Sequence, residues 1–445
     1  MPTRGDAQGR TPMDLYGDFV SASAQQHPAL ARGALDFGFG FTAWRTTRLP
    51  NRDQLPSAQA ASALFFNNLV RALADPQNEA ITSIFLPTEV FQALGVRAVT
   101  AEAISGTCAG AHSEEGFMSD AEGRGIPETF CSYHKVLLGA AFTGVLRPPR
   151  MLASCSVACD ANNLTFETLS RLWDVPHFYV DVPYEPTRDA AVYVGDQLRQ
   201  MGGLAQEVYG RRLSEPDLTL RVARSQRTLA LLAKSLPLRR GRYLAGDLTL
   251  ELMEVLDVHL SLGTTEVENI AQQMVDDFAA AAPYEGLNLV WVHTSPFFFG
   301  PLTTHMDRSR EAQVVASDMF YDTALAGDPW FGPGQPYEAM GERLVRNCLN
   351  GPADRRAACV RQLADQTHAD GVVVFCHWGC KQIAGASHII RKSLEAAGYP
   401  VLVIDGDGAH RSNNMAGQVS TRLEAFLELL RFRREENHVT PNRDR

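Results

Sequence analysis

Two stretches of this chain repeat one design. "RMLASCSVACDANNLTFETLSRLWDVPHFYVDVPYEP" and "ADGVVVFCHWGCKQIAGASHIIRKSLEAAGYPVLVIDGDG" each run from an apolar strand through a Cys-x-x-x-Cys turn into an amphipathic helix, then into a second strand that ends in acidic residues. Strand, helix and strand in that order form a βα unit, which lays its two strands parallel because the helix carries the chain back over one face of the sheet. "AITSIFLPTEVFQALGVRAVT" adds a strand, turn, helix and strand, with Pro87 and Glu89 where the helix begins, and "LNLVWVHTSPF" opens the second half. "IPETFCSYHKVLLGAAFTGVL" reads as a helix opening near Pro127, a residue suited to a first helical turn.

The pattern predicts an α/β protein with two Rossmann-like (flavodoxin-like) parallel-sheet domains. An N-terminal helical region is expected over 1–75, from repeats such as "SAQAASALFFNNLVRALA". A first α/β domain follows over 76–187 and holds Cys131 and Cys159. A helical bridge spans 188–283, and a second α/β domain with Cys380 spans 284–445, closing on the amphipathic "GQVSTRLEAFLELLRFR".

Composition narrows the function classes. The 445 residues are 45% hydrophobic and 21% charged, ordinary for a globular chain of two or three domains. A formal net charge of −10 argues against a general nucleic-acid binder, which would show a basic face. The N-terminus has no apolar core of signal-peptide length, and no run of about 18 apolar residues occurs, so a soluble cytoplasmic protein with no membrane partner is expected.

There are eight cysteines: Cys108, Cys131, Cys155, Cys159, Cys348, Cys359, Cys376 and Cys380. In a large chain without secretion signals, metal binding or redox chemistry is a more natural use than disulfides, and the ordinary alternative is a small buried hydrophobe. Open parallel sheets bind ligands beyond the carboxyl ends of their strands, where both Cys-x-x-x-Cys pairs fall. Cys131 lies near a helix start, where the dipole and free N–H groups favour a thiolate or an anionic cluster. Three elements can therefore bring thiolates together. The spacing departs from the Cys-x-x-Cys pairs of structural zinc sites, whereas an iron–sulfur cluster accepts thiolates distant in sequence. Composition does not choose among zinc, a cluster and buried thiols.

Other motifs are absent. "DGDGAH" lacks the acidic ligands of a calcium loop, because Ala409 and His410 stand where ligand and glycine are needed. There is no G-x-x-x-x-G-K-[ST], no G-x-S-x-G and no H-E-x-x-H. His293 and His377 follow strands, and each suits either a cleft or a structural hydrogen bond.

The segments "LPTEVFQALG", "PETFCSYHKVLLGA", "CDANNLTFETL", "HFYVDVPYE", "NGPADRR", "DGVVVFCHWGCKQIAGAS", "GYPVLVIDGDG" and "GQVSTRLEAFLELL" resemble, in order and spacing, a subunit of the 2-hydroxyacyl-CoA dehydratase family, which also contains benzoyl-CoA reductase subunits. The resemblance covers nearly all of the chain beyond about residue 75. It implies a [4Fe–4S] cluster held by Cys131 of "FCSY", Cys159 of "ACDANN" and Cys380 of "HWGCK". Cys155 and Cys376 become neighbours of the site rather than ligands, and Cys108, Cys348 and Cys359 structural residues. The sequence departs from the family at "DGDGAH", where relatives often continue "DGDGCD".

The implied substrate is a coenzyme A thioester. Eliminating water from a 2-hydroxyacyl-CoA removes a β-proton that the thioester does not acidify, and acid–base help of about 10²–10⁴ is too little for it. The family is understood to add one electron, making a ketyl radical anion that expels the α-hydroxyl and acidifies the β-proton. The resemblance implies two partners: a paralogous subunit, in a heterodimer or a homodimer, and a separate ATP-dependent iron–sulfur activator that injects the electron. Glu89 is a candidate base or substrate-orienting group, and equally a helix-start carboxylate. Ser132 and Lys381 flank the ligands and could donate to cluster sulfur or CoA phosphate. Rival readings are an acyl-CoA reductase of the benzoyl-CoA reductase type and a non-catalytic partner subunit, the latter prompted by Ala409 and His410.

Overall fold

The structure is a computed structural model that describes residues 10–298, 300–413 and 416–439; the first nine residues, part of the stretch in which no signal peptide is expected, lie outside it. Among the described residues, eight strands form two four-stranded sheets, and every pairing is parallel. The first sheet contains β1 (Glu79–Thr82), β2 (Arg97–Val99), β3 (Met151–Cys155) and β4 (His177–Val180), in the order β2-β1-β3-β4. The second contains β5 (Leu287–Val292), β6 (Ala312–Ser317), β7 (Gly371–His377) and β8 (Val401–Gly406), in the order β6-β5-β7-β8. Both sheets thus share one topology, and the α/β class with two Rossmann-like units is what the chain adopts.

The strands β1, β3, β5 and β6 are buried along their whole length. Helices cover both faces of such sheets, so near-continuous apolar runs replace alternation. The helix Asp160–Trp173 crosses from β3 to β4 and buries Asn162, Thr165, Phe166 and Leu169. Lys381–Ala396 does the same between β7 and β8 through Ile383, Ala386, Ile390 and Leu394. Both stripes follow the three-and-four spacing of an amphipathic helix. In each sheet the strand order reverses between the first and third strands, so the crevice for a ligand opens where β1 and β3, or β5 and β7, end.

Three helices precede the first sheet: α1 (Pro12–Gln26), α2 (Pro28–Arg48) and α3 (Pro56–Ala74). Thr11 and Asp14 form a reciprocal capping box at the start of α1. Four long helices, Arg188–Tyr209, Glu215–Ser235, Leu248–Ser261 and Thr265–Ala280, fill the stretch between the sheets. No helix among the described residues is long and apolar enough to cross a membrane.

One element starts later than expected. The helix read as opening near Pro127 begins at Ser132. Pro127 instead opens a turn in which the Phe130 amide donates to the Pro127 carbonyl at 2.9 Å. That delay leaves Cys131 outside the helix, at its N-cap.

Candidate metal centre

Cys131, Cys159 and Cys380 occupy the same local position in three different helices. Each is the N-cap residue: of Ser132–Phe142, of Asp160–Trp173 and of Lys381–Ala396. The last two follow β3 and β7, the switch-point strands of the two sheets. All three line one cavity of about 160 Å³, together with Pro127, Phe130, Asp160, Lys381 and Gln382. Gly379 holds the two halves in contact there. Its φ is +81°, and a Cβ on it would stand 2.8 Å from the Cys131 amide nitrogen.

Hydrogen-bond donors surround the sulfurs. The backbone N–H of His134 favours the Cys131 thiolate, those of Asn162 and Ala161 the Cys159 thiolate, and those of Ile383 and Gln382 the Cys380 thiolate. These are the orphan donors of a helix's first turn, which carry its positive dipole end. His377 Nε2 lies 3.4 Å from the Cys131 sulfur. Its Nδ1 accepts the Gly408 amide at 3.0 Å, so the ring proton sits on Nε2 and points at the sulfur. His134 Nε2 lies 3.4 Å from the Cys159 sulfur. Its Nδ1 is buried without a partner among the described residues. An unpaired lone pair costs less than an unpaired N–H, which again puts the proton on Nε2. Burial holds both rings neutral, pushing His134 down to about 3 and lowering His377.

Burial first, and repulsion among neighbouring thiolates second, pushes the Cys131 thiol well above its ordinary range. Burial also raises Cys159 and Cys380. The three therefore rest as neutral thiols unless a cation is present, and metal binding would release their protons. The donor set is all sulfur, which selects iron–sulfur clusters, zinc or copper. Among the described residues, no three His, Cys, Asp or Glu side chains converge closely enough to hold one metal ion. Thiols spread around a cavity wall suit a multinuclear cluster filling it better than a single zinc ion.

The other sequence candidates fall elsewhere. Glu89 is not among the residues lining the cavity. Its carboxylate is fully buried and accepts from Arg343 Nη1 at 2.6 Å, Arg343 Nη2 at 2.8 Å and Ser225 Oγ at 2.6 Å. Burial alone would raise its pKa, but Arg343 overcomes this and the net shift is downward. A paired carboxylate with a lowered pKa is a weak base, and Glu89 ties the helix Glu89–Ala93 to the helices that carry Ser225 and Arg343. Ser132 donates to Asp407 Oδ1 at 2.5 Å, which makes it a brace between the Cys131 helix and the turn after β8. Lys381 does line the cavity. Neither Cys155 nor Cys376 lines it, and Cys155 receives a hydrogen bond from Ser83 at 3.6 Å. Ala409 is buried in a small apolar cluster with Ala109, Cys131, Tyr133 and Phe298, outside the cavity wall.

Several contributors escaped the sequence reading. Arg356, in "NGPADRR", is 1% exposed and binds Asp318 through Nε at 2.6 Å. It also donates to Gln382 on the cavity wall, and its Nη2 lies 3.3 Å from His293 Nδ1. Glu102 lies within electrostatic reach of Cys159, and burial raises its carboxyl. These residues sit on elements remote in sequence from the cysteines, so spacing carries no trace of them.

Comparison with known proteins gives concordant findings. A family model described as "2-hydroxyglutaryl-CoA dehydratase, D-component" matches residues 83–430, a span that includes all three cysteines. The (R)-phenyllactyl-CoA dehydratase alpha subunit of Clostridium sporogenes is 21% identical over 371 residues, covering 78% of this chain and 88% of that protein. The lactoyl-CoA dehydratase subunit alpha of Anaerotignum propionicum is 23% identical over 353 residues, covering 70% of this chain and 80% of that protein.

Proposed function

The chain belongs to the 2-hydroxyglutaryl-CoA dehydratase, D-component, family, and we propose that it is the iron–sulfur subunit of an (R)-2-hydroxyacyl-CoA dehydratase, converting a 2-hydroxyacyl-CoA to a 2-enoyl-CoA and water. The observation that carries this reading is the convergence of three N-cap cysteines on one cavity at the switch points of two parallel sheets.

In this reading Cys131, Cys159 and Cys380 hold a [4Fe–4S] cluster. Such a group, held by these three thiolates, would supply one-electron chemistry and Lewis acidity. The chain's own residues do the rest. His377 and His134 donate to two of the ligand sulfurs, and the helix N-termini add backbone donors to all three. Lys381 and Gln382 on the cavity wall offer a cation and an amide to the thioester's polar atoms. Glu102 lies within electrostatic reach of Cys159 but, like Glu89, is not among the residues lining the cavity, so neither carboxyl is assigned the β-proton on geometry. The α-hydroxyl departs with a proton as water, so the net reaction consumes no electron. A paralogous subunit completes the enzyme, and an ATP-dependent iron–sulfur activator supplies the starting electron.

The test is an anaerobic assay of the chain with its partner and activator against a panel of 2-hydroxyacyl-CoAs. Formation of 2-enoyl-CoA, lost in Cys159→Ala, supports the proposal. Net reduction of an acyl-CoA, or undiminished activity in Cys159→Ala, contradicts it.

A further inference from the structure

One buried guanidinium ties together three groups from different elements of the second half. Arg356 stands in the first turn of the helix Ala353–Thr367. Its Nε donates to Asp318 Oδ2 at 2.6 Å, just beyond β6. Its Nη1 donates to Gln382 Oε1, and its Nη2 lies 3.3 Å from His293 Nδ1, just beyond β5. Burial, then the charge of Arg356, holds the His293 ring neutral, so Nδ1 accepts from the guanidinium. Asp318 is fully buried, and its other oxygen accepts the His293 amide at 2.8 Å. His293 has a φ of +81°, a left-handed backbone uncommon for a residue with a side chain. Such strain persists only where the surroundings over-determine it. Here both halves of one ion pair do so, Asp318 on the backbone and Arg356 on the ring. A buried ion pair adds little net stability, because desolvation offsets its attraction. What this one adds is direction, since the guanidinium fork is planar and rigid.

Of the three groups, Gln382 is the one on the wall of the cysteine cavity. Arginine has donors and no acceptor, so the oxygen of the Gln382 amide faces it. The amide –NH2 is then turned away from Arg356. It has no hydrogen-bond partner among the described residues, and it is not among the buried polar atoms left unpaired. It therefore meets open space, and the space that Gln382 borders is the cavity. Accepting from a cation polarises the amide and strengthens its N–H groups as donors. An amide –NH2 gives a hydrogen bond but no proton. The departing α-hydroxyl of a 2-hydroxyacyl-CoA needs a proton to leave as water. The thioester carbonyl needs only donors, because its oxygen gains negative charge when the thioester accepts an electron.

We propose that Arg356 is a positioning residue for the substrate: it locks the Gln382 amide so that its –NH2 donates to the carbonyl oxygen of the CoA thioester. Asp318 and His293 hold Arg356 in that pose. This assignment rests on the dehydratase reading for the identity of the substrate, and on the hydrogen bonds of Arg356 for the orientation of the amide.

The test uses the chain purified anaerobically with its partner subunit, and (R)-2-hydroxybutyryl-CoA isotope-labelled at the thioester carbonyl. The activator is left out, so no turnover occurs. Infrared difference spectra then read the bound carbonyl directly. Wild type should move its stretch to lower frequency than in solution. Gln382→Glu keeps the size and the Arg356 contact but loses the –NH2, and should abolish most of that shift. Arg356→Lys keeps the charge but not the fork, and should diminish it with iron content unchanged. Asp318→Asn, which loosens Arg356 without removing it, serves where Arg356→Lys does not fold. With activator present, Gln382→Glu should lose about 10²-fold in kcat, as when one oxyanion donor is removed, and only a few-fold in KM. Arg356→Lys placed in a Gln382→Met background should cost nothing further, whereas a merely structural role would add its own loss there. A wild-type carbonyl frequency in Gln382→Glu, no binding of the thioester by wild type at millimolar concentration, or additive losses in the double variant would overturn the proposal. A shifted carbonyl in wild type that never turns over would overturn the dehydratase reading and leave this one standing.

Discussion

Gly379 and the Cys131 backbone touch so closely that a Cβ on the glycine would stand 2.8 Å from the Cys131 nitrogen. This contact sets the spacing of Cys380, one residue on, from Cys131. Gly379→Ala adds a steric clash to a left-handed backbone strained for alanine, each worth on the order of 1–3 kcal/mol. The expected result is a lower melting temperature and loss of most bound iron. A variant with full iron content and wild-type melting would show that the two cysteines are not positioned through this contact.

His377 donates to the Cys131 sulfur, and a hydrogen bond to a ligand sulfur stabilises the reduced, more negative state of a cluster. His377→Ala should therefore lower the cluster's midpoint potential by roughly tens of millivolts, the one-electron equivalent of about 1 kcal/mol. Redox titration followed by EPR reads this directly, and an unchanged or higher potential would contradict the assigned tautomer.

Arg343→Met leaves the Glu89 carboxylate buried without its partner. Removing one half of a buried pair costs about 3–5 kcal/mol, and urea unfolding at pH 7 should show a loss of that order. The Glu89 pKa is lowered in the folded state, so the pair's stabilisation is present above the unfolded carboxylate pKa and fades as pH falls through the folded one. The difference between wild type and Arg343→Met should shrink in acid. Wild-type stability for Arg343→Met, together with a folded but inactive Glu89→Gln, would return Glu89 to the role of base.

Glu79 behaves in the opposite sense. It is 2% exposed, its Oε1 has no partner among the described residues, and burial pushes its pKa to about 8. The folded state then holds a proton that the unfolded state gives up, so stability falls as pH rises from about 4.5 towards 8. Glu79→Gln removes this term. It should raise the melting temperature at pH 8, by a free energy on the order of a few kcal/mol, and leave it nearly unchanged at pH 4. Equal shifts at both pH values would mean that the carboxyl is not titrating within this window.

Much of the architecture was legible because it repeats. The runs before Cys155 and Cys376 are fully buried strands, and the helices after Cys159 and Cys380 keep a clean amphipathic stripe, so local pattern and fold agree. The strand β6 leaves little local signal: "AQVVAS" is six residues long and lies in a stretch without a following helix of clear periodicity. The Cys131 helix starts later than Pro127 suggests because proline is equally at home opening a turn and opening a helix. Residue type draws attention to all eight cysteines, and it is the resemblance to the dehydratase family that sets Cys131, Cys159 and Cys380 apart from the other five. Glu89 drew notice for its "LPTEV" setting, yet its role depends on Arg343, 254 residues away. Arg356, His134 and Glu102 act on the site only through tertiary contacts of that kind, which no local pattern records.

The central claim is that these three cysteines hold an iron–sulfur cluster. The most direct measurement is iron and acid-labile sulfide in anaerobically purified protein, beside Cys131→Ala, Cys159→Ala and Cys380→Ala. The account predicts about four irons and four sulfides per chain, with an EPR signal on reduction, and loss of both in each variant. Protein with no iron, with one zinc per chain, or with iron that survives all three substitutions would contradict it.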